Sequence, residues 1–496
     1  MTNKYHDILD EIESTFETKK PESEEEMVVF WHTTPKGTIK INFRKLKRWL
    51  HEHGYFRYEF VEGKVNFIKI TNNIVENITA LDIKNFVLYN LDQWDQDEIW
   101  NTVFENAKFK DEYLSALDVS NPDFLVDDRK TSWFFYQNTA IKVTSNGIEN
   151  IDYSEIKGCI WKTSIIKRDF KYKDYKASDF YRFILNLSAS DDERMSSLCS
   201  GIGYLLHRFK DPSNPKGVML YEEYLGNKPS GGTGKTLIIQ ATGKLRELVI
   251  LDAKLYDNNN QFALQRVNPS TNIILFDDPP KNFNMETQFS SMSTGLSINK
   301  KNKPEIYLEF KKSPKYAYSS NYVFKGNSSS FKRRKFEIEI HQFYSDKHQP
   351  IDDFGREFWS EQWTELDYNM FDSCMLKNCE LFLKHGLIEY NYENLDTRRI
   401  AAQTSTEFYD WACINLVEGE RYKRNEMFSK FQHDEPGSYC KTANMFYNWM
   451  REYAEFKGWD VKDNIGSGKM YIEFGEVDQN ELPIDFTEVD KDDVPF

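Results

Sequence analysis

The chain has 496 residues, 40% of them hydrophobic, with 64 Lys and Arg against 79 Asp and Glu for a formal net charge of −15; that length suits roughly three or four domains of about 150 residues. No apolar run approaches the roughly 18 residues a bilayer-spanning helix needs, and no basic start followed by an apolar core opens the chain, which excludes a membrane-spanning protein and leaves no visible signal peptide. The six cysteines form no C-x-x-C pair, which sets aside a disulfide scaffold and a structural zinc site and points to a reducing cytoplasmic setting.

Taken in chain order, residues 1–26 are polar and end in PESEEEM, an acidic N-terminal segment. Residues 27–94 read as a small α/β module. The alternating KGTIKINF predicts a strand, RKLKRWLHEHG a helix stopped by Gly54, and Phe56–Phe60 and Val65–Ile70 further strands. Residues 95–210 are mixed and then helical, with WFFYQNTAIKV and GCIWKTSI as strands and a helical run Ala177–Phe209 broken near Ala189–Asp192. Over 211–345 the pattern is a strand at Val218–Tyr221, the loop KPSGGTGKT, a helix LIIQATGKL, a strand at Leu248–Leu251 and a helix near Gln261–Val267. The strand NIILFDD, the hairpin LSINKKNKPEIYLEF and the strands KYAYSSNY and FEIEI follow. Strands alternating with helices predict an α/β sheet with ligands at the strand C-termini. Residues 346–403 read as a helical connector. Residues 404–475 read as three helices and a strand pair (WDVKD, KMYIEF) around IGSGK, the pattern of a winged helix. From 476 to 496 eight Asp or Glu accompany one Lys, an acidic tail.

The strongest local signal is Ser230-Gly231-Gly232-Thr233-Gly234-Lys235-Thr236 between a predicted strand and a predicted helix. Glycines let backbone N–H groups curl around a phosphate, and the following helix N-terminus favours negative charge. Lys235 would reach the β and γ phosphates of ATP, and the Thr236 hydroxyl would help to hold Mg²⁺. The full pattern asks for Gly five positions before Gly234, where this chain has Pro229; the bland alternative is a Gly-rich turn that precedes Lys-Thr. The second signal, Asp277-Asp278, ends an apolar strand 42 residues beyond Lys235. Asp277 would bind Mg²⁺, largely through water, and Asp278 would polarise the attacking water; the alternative is a pair of acids opening a turn into Pro279-Pro280. Asn321, 44 residues after Asp277 at the end of another strand, can contact both the γ-phosphate and the lytic water, or serve as a turn residue. Arg333 and Arg334 are alternative donors of a guanidinium to the transferring phosphoryl group of a neighbouring subunit, or parts of a solvated basic turn.

This order of motifs, SGGTGKT, ILFDD, a basic hairpin, YSSNY and an Arg pair within about 105 residues, resembles that of superfamily 3 helicases. It looks most like the phage, plasmid and mobile-element primase-helicases related to the poxvirus type. The resemblance covers about 200–345, and more loosely the helical stretch before it and the winged-helix-like end. It implies an AAA+-like P-loop NTPase core, an ATP hydrolase that assembles as a ring, usually a hexamer, and translocates on single-stranded DNA, commonly 3′ to 5′. It also implies that Lys235, Thr236, Asp277, Asp278 and Asn321 carry the phosphate-loop, acidic and sensor roles. The family places a DNA-gripping hairpin between the acidic and sensor motifs, where this chain has Lys300, Lys301 and Lys303. From Gly295 to Lys335 eleven Lys or Arg face two Glu, a local +9 that leaves −24 for the rest, so this loop is expected to meet a polyanion rather than only water.

No D-x-D stands on a predicted strand in the first 200 residues, and the carboxylates of Asp92, Asp95 and Asp97 lie at a helix entrance. The N-terminal region is therefore expected to bind DNA, direct assembly or recognise an origin rather than to polymerise a primer; its basic helix Arg44-Lys45-Leu46-Lys47-Arg48 is either a DNA contact or a solvated face. The expectation is an ATP-dependent DNA helicase working with Mg²⁺, single-stranded DNA, further copies of itself and replication proteins, away from any membrane. Two other classes are a P-loop kinase of small molecules, which needs neither Asn321 nor the Arg pair, and an AAA+-like switch that loads or regulates a nucleic-acid partner without unwinding.

Overall fold

The computed structural model describes residues 28–61, 64–105, 109–223, 232–324, 329–466 and 469–476. The acidic segment 1–26, Pro229, Ser230, Gly231 and the tail beyond Glu476 lie outside the described residues. Two units are separated in the chain: Met1–Leu125 with Ile156–Thr163, and Val126–Glu155 with Ser164–Phe496.

In the first unit, β1 (Trp31–Thr33) and β2 (Ile39–Ile41) form a hairpin. Helix α1 (Phe43–Glu52) starts where the Asn42 side chain accepts the Lys45 N–H at 3.2 Å and buries Leu46, Trp49 and Leu50, one face of its 3.6-residue repeat. Strands β3 (Tyr55–Val61), β4 (Lys64–Thr71) and β5 (Ile74–Ile78) pair antiparallel. Helix α2 (Ala80–Gln93) begins in a capping box between Thr79 and Asp82, followed by α3 (Asp97–Glu105) and α4 (Asp111–Leu114). Their apolar faces meet Phe30, Tyr55 and Phe67 around Trp49. Asp92, Asp95 and Asp97 span the end of α2 and the start of α3.

In the second unit, β6 (Thr131–Tyr136), β7 (Ala140–Thr144) and β8 (Gly147–Ile151) form an antiparallel meander. The chain then returns to the first unit as β9 (Ile160–Trp161), parallel to β5, before β10 (Ile165–Ile166) pairs with β6. Helices α5 (Asp179–Leu187) and α6 (Asp192–Leu206) are separated by Ala189 and Ser190 at φ 55 and 56, so the helical run breaks where the sequence predicts. The Asp191 carboxylate restarts it by accepting the Arg194 N–H at 2.8 Å.

Next come β11 (Gly217–Glu222), α7 (Lys235–Thr242), β12 (Leu248–Asp252), β13 (Ile273–Asp277), α8 (Phe289–Ser293), β14 (Gly295–Ile298), β15 (Ile306–Glu309), β16 (Lys315–Ser320), α9 (Ser329–Arg334) and β17 (Lys335–Ile340). Five of these strands make an all-parallel sheet in the order β12-β13-β16-β11-β17, and β11 and β16 are buried along their whole length. Continuous apolar runs such as Ile273–Phe276 belong in such a sheet because both faces are covered. The α/β class read from the sequence is the observed one.

One predicted element is absent. Residues 261–267 form successive turns instead of a helix: the N–H groups of Ala263, Gln265 and Val267 reach only three residues back, to the carbonyls of Asn260, Phe262 and Leu264. The Asn260 side chain takes the Phe262 N–H at 3.0 Å, competing with a helical bond, and Pro269 blocks extension.

The remainder is α10 (Pro350–Phe354), α11 (Glu365–His385), α12 (Glu393–Gln403), α13 (Thr406–Asn415), β18 (Arg421–Lys423), α14 (Arg424–Asp434), α15 (Ala443–Lys457), β19 (Trp459–Gly466) and β20 (Lys469–Glu476). The last three strands form an antiparallel sheet in the order β18-β20-β19, and Phe408, Phe431, Phe446 and Trp449 pack into a core with Ile472 and Phe474.

At the N-terminal edge of the parallel sheet, Lys315 is buried and its ammonium donates to the carbonyls of Tyr204, at 2.7 Å, and His207, capping the end of α6. Burial pushes Lys315 down to about 7 from 10.5, against the attraction of Asp127 and with the repulsion of Lys210 and Arg246. Between those two values the unfolded chain holds a proton that the folded chain has released, so this group makes stability rise with pH from about 7 to 10.5. Denaturant titrations should therefore show the wild type gaining on Lys315→Met by up to ~1.4 kcal/mol per pH unit above about pH 7; a pH-independent difference between the two would refute the assignment.

Candidate active site

Three neighbouring strands of the parallel sheet, β13, β16 and β11, end at one edge and deliver Asp277, Ser319 and Glu222 there, with Asp277 directly opposite Ser319. Ligands of open parallel sheets bind at such carboxyl ends. The chain reaches α7 through Gly232, Thr233 and Gly234. Gly234 is left-handed at φ 91, and a Cβ there would lie 2.7 Å from the Phe183 ring, so both backbone and packing demand glycine.

Lys235, first residue of α7, directs its ammonium to Glu222 Oε2 at 2.8 Å and Thr233 Oγ1 at 3.1 Å. Both partners of this ion pair are almost sealed from solvent, with side chains 7% and 1% exposed. Burial lowers the Lys235 pKa, and Glu222 opposes that shift. The Thr236 hydroxyl donates to Asp277 Oδ1 at 2.7 Å and stands 3.1 Å from Ser319 Oγ. A hydroxyl and a carboxylate converging in this way are hard oxygen donors of the kind that Mg²⁺ takes, so the residues fit the ion.

Asp278 adopts φ 51, a left-handed backbone rare outside glycine, and its N–H is held by Ser319 O at 2.9 Å. Its carboxylate accepts from Asn321 Nδ2 at 3.2 Å and pairs with Lys254. Lys235, Thr236, Asp277, Asp278 and Asn321, spread over 87 positions of sequence, thus form one cluster.

The other predicted residues stand apart from it. Lys300, Lys301 and Lys303 lie in the loop joining β14 to β15, with Lys301 and Lys303 exposed. The basic turn expected at Arg333 and Arg334 is instead the short helix α9, which separates their roles. Arg334 turns inward, donating from Nε and Nη2 to Ser293 Oγ at 3.1 and 3.0 Å and from Nη1 to Ser330 O at 3.2 Å. Arg333 is exposed and makes no hydrogen bond or ion pair with a described residue.

Sequence reasoning missed Glu222, Lys254, Ser319 and Arg398. Glu222 ends the strand before the loop and Ser319 sits inside YSSNY, so both had a positional signal. Arg398 had none. It projects from α12, 77 residues beyond Asn321, and donates to the carbonyls of Glu222 and, at 3.3 Å, Asn321, while reaching Glu339 Oε2 at 3.5 Å. Burial pushes Glu339 up to about 7 although Arg398 pulls it down. Arg398 thus ties α12 to the carboxyl ends of the neighbouring strands β11 and β16.

No protein-family model and no curated sequence matches the chain. Among solved structures, the apo C-terminal region of NrS-1 is similar over 86% of this chain and 98% of its own, at 14% identity and a TM-score of 0.41. A JCV helicase with a bound thiazolopyridine acetamide is similar over 45% of this chain and 70% of its own, at 12% identity and a TM-score of 0.22.

Proposed function

We propose that this chain is an ATP-dependent DNA helicase of a phage or mobile element, acting as a ring, hexameric by family resemblance, that moves along single-stranded DNA during genome replication. One observation carries the reading: a lysine, a hydroxyl, two carboxylates and an amide converge at the carboxyl edge of a parallel sheet, at the start of a helix entered through left-handed glycine. A phosphoryl-transfer centre needs that set, because its chemistry is positioning plus charge stabilisation.

In this reading the phosphates of ATP lie over the N-terminus of α7, where Lys235 exchanges Glu222 for the β and γ oxygens. Thr236 and Asp277 hold Mg²⁺, which supplies charge neutralisation to the phosphate oxygens. Asp278 orients and polarises the attacking water, and Asn321 fixes the carboxylate that does so. Arg333 reaches the site of the next protomer, the inward contacts of Arg334 leaving it to the fold. Lys300, Lys301 and Lys303 hold successive phosphates of the strand without reading sequence. The first unit serves DNA binding, assembly or origin recognition, and the chain works in the cytoplasm with other replication proteins.

The test is hydrolysis and displacement of a strand from a forked duplex, with and without single-stranded DNA. Wild type should hydrolyse ATP faster with the oligonucleotide and separate the strands. The double variant Lys300→Ala/Lys301→Ala should lose displacement while its basal hydrolysis stays within about twofold, since the loop contacts phosphates and not ATP. Hydrolysis without displacement by the wild type would assign the chain to the loading-switch class, and no hydrolysis at all would sink the motor.

A further inference from the structure

The hairpin β14–β15 carries more than lysines. Its inner face is apolar, with Leu296, Ile298, Ile306 and Leu308 all buried, as the period of two requires. On its outer face stands Tyr307, opposite Ser297 and 52% exposed. This ring is fixed rather than free. Its hydroxyl donates to Thr294 O at 3.1 Å, and beneath it lies Gly295, at φ 142, where a Cβ would come within 2.6 Å of Tyr307 Oη and 2.9 Å of Cζ. Glycine lets the ring approach the backbone directly, leaving its other face to solvent.

Charge is arranged on both sides of that ring. Glu305 and Glu309 stand nearest, two residues away on the same outward face, and beyond them Lys300, Lys301 and Lys303 precede the ring at the hairpin tip and the exposed Lys311 and Lys312 follow it. At ~3.3 Å per residue Lys303 and Lys311 stand within about 13 Å of the tyrosine on either side. Cations spaced along a track with an aromatic face between them match a backbone that carries an unpaired base.

We infer that Tyr307 is a stacking platform for an unpaired base, so that this hairpin selects single-stranded over double-stranded nucleic acid. The inference rests on the hairpin being the strand-gripping element of the proposed helicase. Lysines alone would hold either form, because both present phosphates. A base pair inside a duplex has both faces covered by its stacked neighbours, whereas an unpaired base of a flexible single strand can lie against the ring, and the tether to Thr294 means that little side-chain freedom is lost on stacking.

The experiment measures binding of the full-length chain to an oligothymidylate, to an abasic oligodeoxynucleotide of equal length and to a blunt duplex. Wild type should prefer the oligothymidylate over the abasic chain by about tenfold, and Tyr307→Ala should remove that preference while keeping abasic affinity within about twofold. Tyr307→Trp, which keeps a flat face, should retain the preference, and Lys300→Ala/Lys301→Ala should weaken both single strands together. Equal wild-type binding to the two single strands, or a preference unchanged in Tyr307→Ala, overturns the stacking role and leaves the helicase reading standing. Binding to none of the three probes overturns both.

Discussion

Lys235→Ala is expected to lower nucleotide hydrolysis by at least about 10²–10³-fold, the usual effect of removing one donor aimed at developing phosphoryl charge. The variant has a second consequence that a simple phosphate-loop reading misses. Lys235 is the partner of Glu222, and both side chains are nearly sealed from water. Truncating the lysine leaves a buried carboxylate uncompensated, a loss of about 3–5 kcal/mol when a buried pair is broken from one side. The loss of activity and the loss of stability are therefore mixed in the single variant. They separate in Lys235→Ala/Glu222→Gln, which removes the orphaned charge: thermal melting should recover towards the wild-type temperature while hydrolysis stays at the level of Lys235→Ala. If hydrolysis returned with stability, Lys235 would be a structural ammonium and not a phosphate ligand.

Arg333→Ala should cost about 10³-fold or more in turnover with nucleotide affinity nearly unchanged, the signature of a guanidinium that acts on the transition state from another protomer. The geometry makes this assignment sharper than the Arg-Arg sequence does. Arg334 is occupied, with three donors on Ser293 and Ser330 and its guanidinium 5.0 Å from the Phe289 ring. Arg333 stands exposed on the same short helix. Mixing distinguishes action across an interface from action within one chain. Arg333→Ala keeps an intact cradle and Lys235→Ala keeps an intact arginine, so in an equimolar mixture roughly one head-to-tail interface in four combines both intact halves. Each variant alone should be inactive and the mixture active. A mixture as inert as its components would place the arginine's role within its own protomer. Arg334→Ala, by contrast, should reduce stability, and any activity it loses should not be restored by mixing.

The parts of this protein that were legible in its sequence share one property: neighbours in the chain encode them. The apolar run Ile273–Phe276, the helix start at Lys235 behind left-handed Gly234 and the break at Ala189–Asp192 all stand where local pattern predicted. A strand period, a turn residue and a helix cap depend on contacts a few positions away, and so can be read from a short window. Where local preferences competed, the reading failed: at 261–267 apolar spacing suggested a helix, and side-chain bonds from Asn260 with Pro269 beyond gave turns.

The sequence by itself therefore determined the α/β class and most of the elements. Only the tertiary structure decided the strand order β12-β13-β16-β11-β17, and with it the meeting of Lys235 with Glu222, Asp278 with Lys254, and Arg398 with the carbonyls of Glu222 and Asn321. It also turned Arg334 inward and left Arg333 outside. The reason is physical: an ion pair or a buried guanidinium depends on which donor and acceptor atoms the folded sheet brings within about 3 Å of each other, and separation along the chain carries no record of that distance.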